Sequence, residues 1–138
     1  MSLSNTTENA ALKMFLQGID PSYRAGATQY VALFTSTATA GEIEAATLTN
    51  EANYTGYSRV PLTKATAWTD GGSSFSNAAQ VQFGLCTAGT NTIRYFAVVD
   101  TASGAVAMCI GGQLSSDLSV SNGIQPLFAI AALTVTAD

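Results

Sequence analysis

The sequence predicts an all-β fold, an antiparallel β-sandwich or jelly roll of seven to eight strands, with one N-terminal amphipathic helix. Three observations predict it. Short apolar or alternating runs recur from residue 29 to residue 136 with Gly, Asn and Asp between them, the spacing of antiparallel strands. Helical periodicity is confined to an N-terminal arm, residues 1–21, so no crossover helices separate the strands as a parallel sheet requires. At 138 residues the chain fits a single domain, 1–138, because a second core would leave each half too small to be stable.

The helix comes first. Asn5 can cap it, with Glu8 three residues later as in a capping box. Leu12, Phe15, Leu16 and Ile19 then form one apolar stripe, Gly18 suits the C-terminal cap, and Asp20-Pro21 stops continuation. A helix of about four turns is marginal alone, so this stripe is expected to dock on a sheet, its own or a neighbour's. Gln29–Thr35 (QYVALFT) is apolar on both faces, as in a strand covered on both sides. Residues 36–54 have no clean period and read as a long loop excursion, with a short helix around Glu42–Thr49 as an option. Tyr57–Lys64 is a strand whose Pro61 places it at an edge. Asp70-Gly71-Gly72 turns a hairpin within Ala67–Ser76. Gln80–Leu85 alternates, with Val81, Phe83 and Leu85 expected inward and Gln80 and Gln82 outward. Ile93–Val99 and Ala105–Ile110 flank a turn at Asp100–Gly104, Leu118–Val120 is a short strand, and Gln125–Thr136 is the last.

Composition points toward assembly. Only 10% of residues are charged, against about 25% in an average globular protein, while 47% are hydrophobic. So lightly charged a surface suits a protein covered by its neighbours, although small β domains also carry Ser/Thr-rich faces. The five basic residues (Lys13, Arg24, Arg59, Lys64, Arg94) form no stripe, so the electrostatic footprint of nucleic-acid binding is missing. No apolar stretch approaches the roughly 20 residues of a membrane span, and the N-terminus lacks a secretory h-region, so a cytoplasmic origin is expected. Cys86 and Cys109 sit in apolar stretches and read as buried, reduced core residues.

Catalytic chemistry finds little to work with. There is no histidine, which removes the Ser-His-Asp and Cys-His arrangements and most zinc sites. Most acids fall at caps and turns. Glu42, Glu44 and Glu51 cluster in the long loop and could offer oxygen ligands to a hard cation, but the Asp/Asn/Gly pattern of a calcium loop is missing. The expectation is a non-enzyme with no catalytic residue, metal or cofactor. Trp68, Tyr54 and Tyr57 suggest either an exposed aromatic platform for a glycan or, more plainly, side chains packed in the sheet.

SNTTENAALKMFLQG, QYVALFTS, Tyr57-Ser58-Arg59-Val60, RYFAVVDTASGAVAMCIGGQL and FAIAALTVT follow one another over nearly the whole chain. This order resembles a family of small tailed-bacteriophage virion proteins. Its members run as a helix, an LYVALFTS-like strand, a Gly-rich loop leading to GYARV, an FGIFDAASGG hairpin and a closing ALTVTL strand. They are commonly labelled tail-fibre proteins. The loop after the first strand departs from the family's Asp-Pro and glycines, reading Thr-Ala-Thr-Ala-Gly41-Glu42.

The resemblance implies a virion structural role. The first expectation is a capsid decoration or cement protein, a homotrimer on the outer capsid surface that bridges and stabilises major capsid subunits. The alternative is a tail-fibre or tail-tip adhesin that binds a host glycan through Trp68 with Tyr54 and Tyr57. The expected interface residues are the stripe Leu12, Phe15, Leu16 and Ile19, Glu42 and Glu44 of the long loop, and Tyr54, Tyr57 and Trp68.

Overall fold

A computed structural model describes residues 2–136. Met1, Ala137 and Asp138, part of the expected domain, lie outside the described residues. Strand β1 (Ser2–Leu3) leads into helix α1 (Asn5–Gln17), and a 3-10 turn at Ser22–Arg24 precedes strand β2 (Thr28–Thr35). Helix α2 (Ala40–Glu44) follows, then strands β3 (Val60–Thr63), β4 (Trp68–Asp70) and β5 (Ser74–Asn77). Strands β6 (Val81–Gln82), β7 (Asn91–Val99), β8 (Cys109–Val120), β9 (Leu127–Phe128) and β10 (Thr134–Thr136) complete the order. They pair antiparallel into a five-stranded sheet ordered β1-β8-β7-β2-β3, a three-stranded sheet β10-β5-β4 and the ribbon β6-β9. The protein is mostly β with one substantial helix at its start, as expected. Pro61 lies in β3, an edge of the large sheet, where its missing N–H is harmless.

Alternation along β2 builds two cores. Val31 and Leu33 face one side with Ile93, Phe96, Phe83 and Leu133; Ala32 and Phe34 face the other with Ala97, Val99 and Cys109. The first side is closed by residues from the two smaller sheets and their loops, which supply Val81, Phe83, Phe128 and Leu133. The second is closed by Ala38 and Ile43. Gly111 makes room for this lid, since a Cβ there would stand 2.4 Å from Ile43 Cγ2. The 36–54 segment is therefore no free excursion. Its helix starts at Ala40, capped reciprocally by Thr39 and Glu42, and packs Ile43 onto the sheet. Both cysteines are unpaired and buried, and burial pushes the Cys109 thiol up to about 11.

Several strand boundaries differ from expectation, β3 and β6 being shorter than Tyr57–Lys64 and Gln80–Leu85, and at two places side chains capture backbone atoms. Asp100 Oδ1 accepts from the amides of Ala107 and Met108, holding the expected Ala105–Ile110 strand out of the ladder until Cys109. From there β8 runs to Val120, with residues 114–117 bulging out of the ladder opposite Arg94, and absorbs Leu118–Val120, which pair with Asn91–Ile93. The last strand is split. Buried Asn77 donates to Ala129 O and accepts from Leu133 N, bending the chain between β9 and β10. Leu85 points outward rather than inward. Phe83 N bonds Pro126 O while Cys86 N bonds Ile124 O, so three steps on one strand oppose two on the other. That extra residue is a bulge, and it turns Leu85 to solvent.

One polar knot ties these parts together. Arg59, with 3% of its side chain exposed, donates from Nε and Nη2 to the two carboxylate oxygens of Glu51 at 2.8 and 2.9 Å. Nη1 donates to Thr101 O and Oγ1, and Nη2 also reaches Gly104 O. Tyr57 donates its hydroxyl hydrogen to Glu51 Oε1 and accepts from the Leu33 amide. Its ring stacks on Phe83, with Tyr54 edge-on at 5.5 Å.

Removing one partner of a buried pair leaves the other uncompensated. Arg59→Ala is expected to destabilise the fold by about 3–5 kcal/mol, whereas exposed Ser58→Ala should stay within about 0.5 kcal/mol. Urea unfolding measures both, and a loss under about 1 kcal/mol for Arg59→Ala would refute the knot's importance. The tyrosines give an alkaline signature. Burial pushes the Tyr54 phenol up to about 12, and burial followed by the Glu51 carboxylate raises Tyr57 further. Their contribution is intact below the ordinary phenol pKa of about 10 and falls as pH rises from there toward 12, because the unfolded chain releases protons that the native state keeps. Phenolate absorbance of these two residues should appear together with unfolding; smooth titration of all five tyrosines near pH 10 in a folded protein would contradict this.

Candidate functional site

Helix α1 is attached by its first turn. Ser4, rather than Asn5, is its N-cap, accepting from Thr7 N at 3.3 Å. The shift of one residue has a cause: Ser4 N still donates to Cys109 O, so the chain remains extended there. Thr7 Oγ1 donates to Cys109 O and accepts from Cys109 N, and it lies 2.8 Å from Ser4 Oγ. Both side chains are buried. At the other end Gly18 closes the helix in the left-handed region at φ 66, as the sequence predicts.

The helix sits on the domain with the weaker of its two faces. Thr7, Ala10, Ala11 and Met14 are turned inward, buried or half-buried. The stripe lies opposite. Leu12, Phe15, Leu16 and Ile19 are 58%, 77%, 79% and 53% exposed. The expected helical stripe exists for Leu12, Phe15 and Leu16, while Ile19 falls past the helix, beyond the left-handed Gly18 cap; none of the four docks on its own sheet. A row of four large apolar side chains facing water is the feature of this chain that most needs a partner.

The other expected contact residues scatter. Glu42 is half-buried and bonded, accepting from Thr39 N and from Asn50 Nδ2, while Glu44, two residues on, is exposed. With Glu51 held by Arg59, the three loop acids do not converge on a cation; among the described residues no three His, Cys, Asp or Glu side chains form a metal-binding group. Tyr54 is 3% exposed and Tyr57 is packed in the core, so they make no surface platform with Trp68. Trp68 is half-buried elsewhere, its indole N–H donating to Gln29 Oε1, and it lines a cleft of about 260 Å³ with Phe75, Val98, Ile110 and Val135.

A larger concavity escaped the sequence reading. A groove of about 480 Å³ runs along β8 toward the chain between β9 and β10, lined by Leu114, Leu118, Leu127, Phe128 and Ala132 with Ser115 and Ser116. Leu114, Ser115 and Ser116 lie in the β8 bulge opposite Arg94, and Phe96, Leu127 and Phe128 come from β7 and β9, so the groove depends on a register shift that periodicity does not show.

Among known proteins, a model of one family matches residues 2–136, and its description is Podophage GP4 fiber I protein gp80. No curated protein matches the chain.

Proposed function

Since the chain belongs to the Gp80 family of podophage fiber proteins, we propose that this phage virion protein is a structural subunit of the fibre assembly, built in by burying the outer face of α1. The observation that carries this reading is the stripe itself: Leu12, Phe15 and Leu16 are more than half exposed on a helix whose opposite face is already anchored, and Ile19, just past the Gly18 cap, is exposed as well. The low charge of the chain supports it, since the cores of lasting interfaces are depleted of charge. The family description favours the fibre over the capsid surface. The adhesin mechanism through Tyr54, Tyr57 and Trp68 loses its basis, because the two tyrosines belong to the core.

Capsid decoration remains the second reading, favoured by the compact packing of the described residues around one central sheet rather than along an extended shaft. Location and copy number separate the two. Labelled antibody in electron microscopy should mark the fibres, with a copy number in the tens or fewer; hundreds of copies spread over the head would instead establish decoration. In either location, phage carrying Phe15→Glu should contain little of this protein, while the purified variant keeps the wild-type circular dichroism. Full incorporation of Phe15→Glu would remove α1 as the contact.

A further inference from the structure

We propose that the cleft at Trp68 is a binding site for the acyl chain of a free anionic amphiphile, with Lys64 holding its carboxylate. The cleft is the mouth of the gap between two sheets. Val31 faces the first core, Val98 lies opposite it and Ile110 opposite Val98, so all three share one face of the large sheet. Leu133 and Asn77 close the gap from the smaller sheet. Two residues along from each, Val135 and Phe75 face the same way as a cross-strand pair. There the cover stops, for Leu133 is 1% exposed and Phe75 44%. What remains is a hollow of about 260 Å³ with buried Val98 at its floor.

Its polar groups are already engaged, which decides the class of ligand. Trp68 gives its indole N–H to Gln29 Oε1 at 3.0 Å, and Gln29 Nε2 donates to Met108 Sδ. These bonds fix the indole and occupy the ring N–H and the one side-chain amide that line the cleft, so a sugar's hydroxyls would go largely unmatched. Lys64 is the exception. Its ammonium donates to Tyr23 O, but among the described residues no carboxylate pairs with it, so donors remain for an anion at the rim. Length agrees. From Ile110 across β7 and β2 to Lys64, just past the end of β3, is three strand spacings, roughly 14 Å. Bonds of about 1.5 Å advance a zigzag chain roughly 1.25 Å per carbon, so an eight-carbon acid with its end groups fills roughly 12 Å. The chain is one free in solution rather than one still in a bilayer, because a net charge of −4 and a single lysine offer no basic patch to an anionic membrane surface.

Trp68 is the only tryptophan of the chain, so its fluorescence reads the cleft directly. Octanoate, kept below its micelle concentration, should shift the emission to the blue and saturate, with a dissociation constant of roughly 1 mM for so small a ligand. Octanol, the same chain without the charge, should bind about fivefold more weakly. Lys64→Met should bring octanoate down to the octanol value. Val135→Phe fills the cleft and should abolish the shift; circular dichroism checks the folding of both variants, and Ile110→Phe fills the cleft from the opposite wall if Val135→Phe does not fold. Octanoate that binds Lys64→Met as tightly as the wild type overturns the anionic head at Lys64, and unchanged binding to the filled cleft overturns the site. A wild type whose emission ignores octanoate overturns the proposal outright. If it responds instead to methyl glucoside alone, the cleft is a sugar site, and if to phosphatidylglycerol vesicles alone, a membrane contact.

Discussion

The bidentate pair between Arg59 and Glu51 is the constraint on which the large sheet depends. It joins three segments that are distant along the chain: the end of the long loop at Glu51, the approach to β3 at Arg59, and the β7–β8 connection at Thr101 and Gly104. A guanidinium presents its donors in a fixed fork, so one side chain can satisfy a carboxylate and two turn carbonyls together. Tyr57 extends the arrangement into the core, bonding Glu51 on one side and the Leu33 amide of the central strand on the other. The motif segments Tyr57–Val60 and Asp100–Gly104, separate in sequence, are thus two sides of one contact. Buried charges of this kind add little net stability, but they penalise every arrangement that leaves one of them unpaired. Their contribution is to specify which loop lies against which turn.

Helix α1 obeys a different economy. A lone amphipathic helix buries its most apolar face when nothing else intervenes. Here the first turn is held by side-chain bonds at Cys109, and those bonds require Ser4 and Thr7 to face the sheet. Once Thr7 is inward, the helical period turns Leu12, Phe15 and Leu16 outward. The polar anchor overrides the apolar preference of the isolated molecule. Its placement makes sense when the stripe is covered by something else.

Much of the architecture was legible in the sequence. The central strand, the Pro61 edge, the Asp70-Gly71-Gly72 hairpin and the Gly18 cap depend on local chemistry, and all stand where that chemistry places them. What was illegible depends on long-range partners. Asp100 intercepts the amides of Ala107 and Met108, and Asn77 divides the final strand, both through side chains whose targets lie far off in sequence or around a turn. The stripe on α1 shows the same limit at the site. Periodicity reveals that one face is apolar, but which face meets the domain depends on Thr7 finding Cys109, 102 residues away.

The distribution of charge then bears on the proposed role, in which apolar faces rather than charged ones would control association. Arg59 pairs with Glu51, Arg94 with Asp117, Arg24 with Asp20, and the Lys64 ammonium donates to Tyr23 O, so four of the five basic side chains are engaged internally. Paired charges project weak fields, and salt screens what remains within about 10 Å. Copies that carry −4 each therefore meet modest repulsion, and no strong field steers one face toward another. Orientation must come from shape. Leu12, Phe15 and Leu16 standing out from α1 give the molecule a shaped apolar feature that a uniformly low-charge β surface alone would lack.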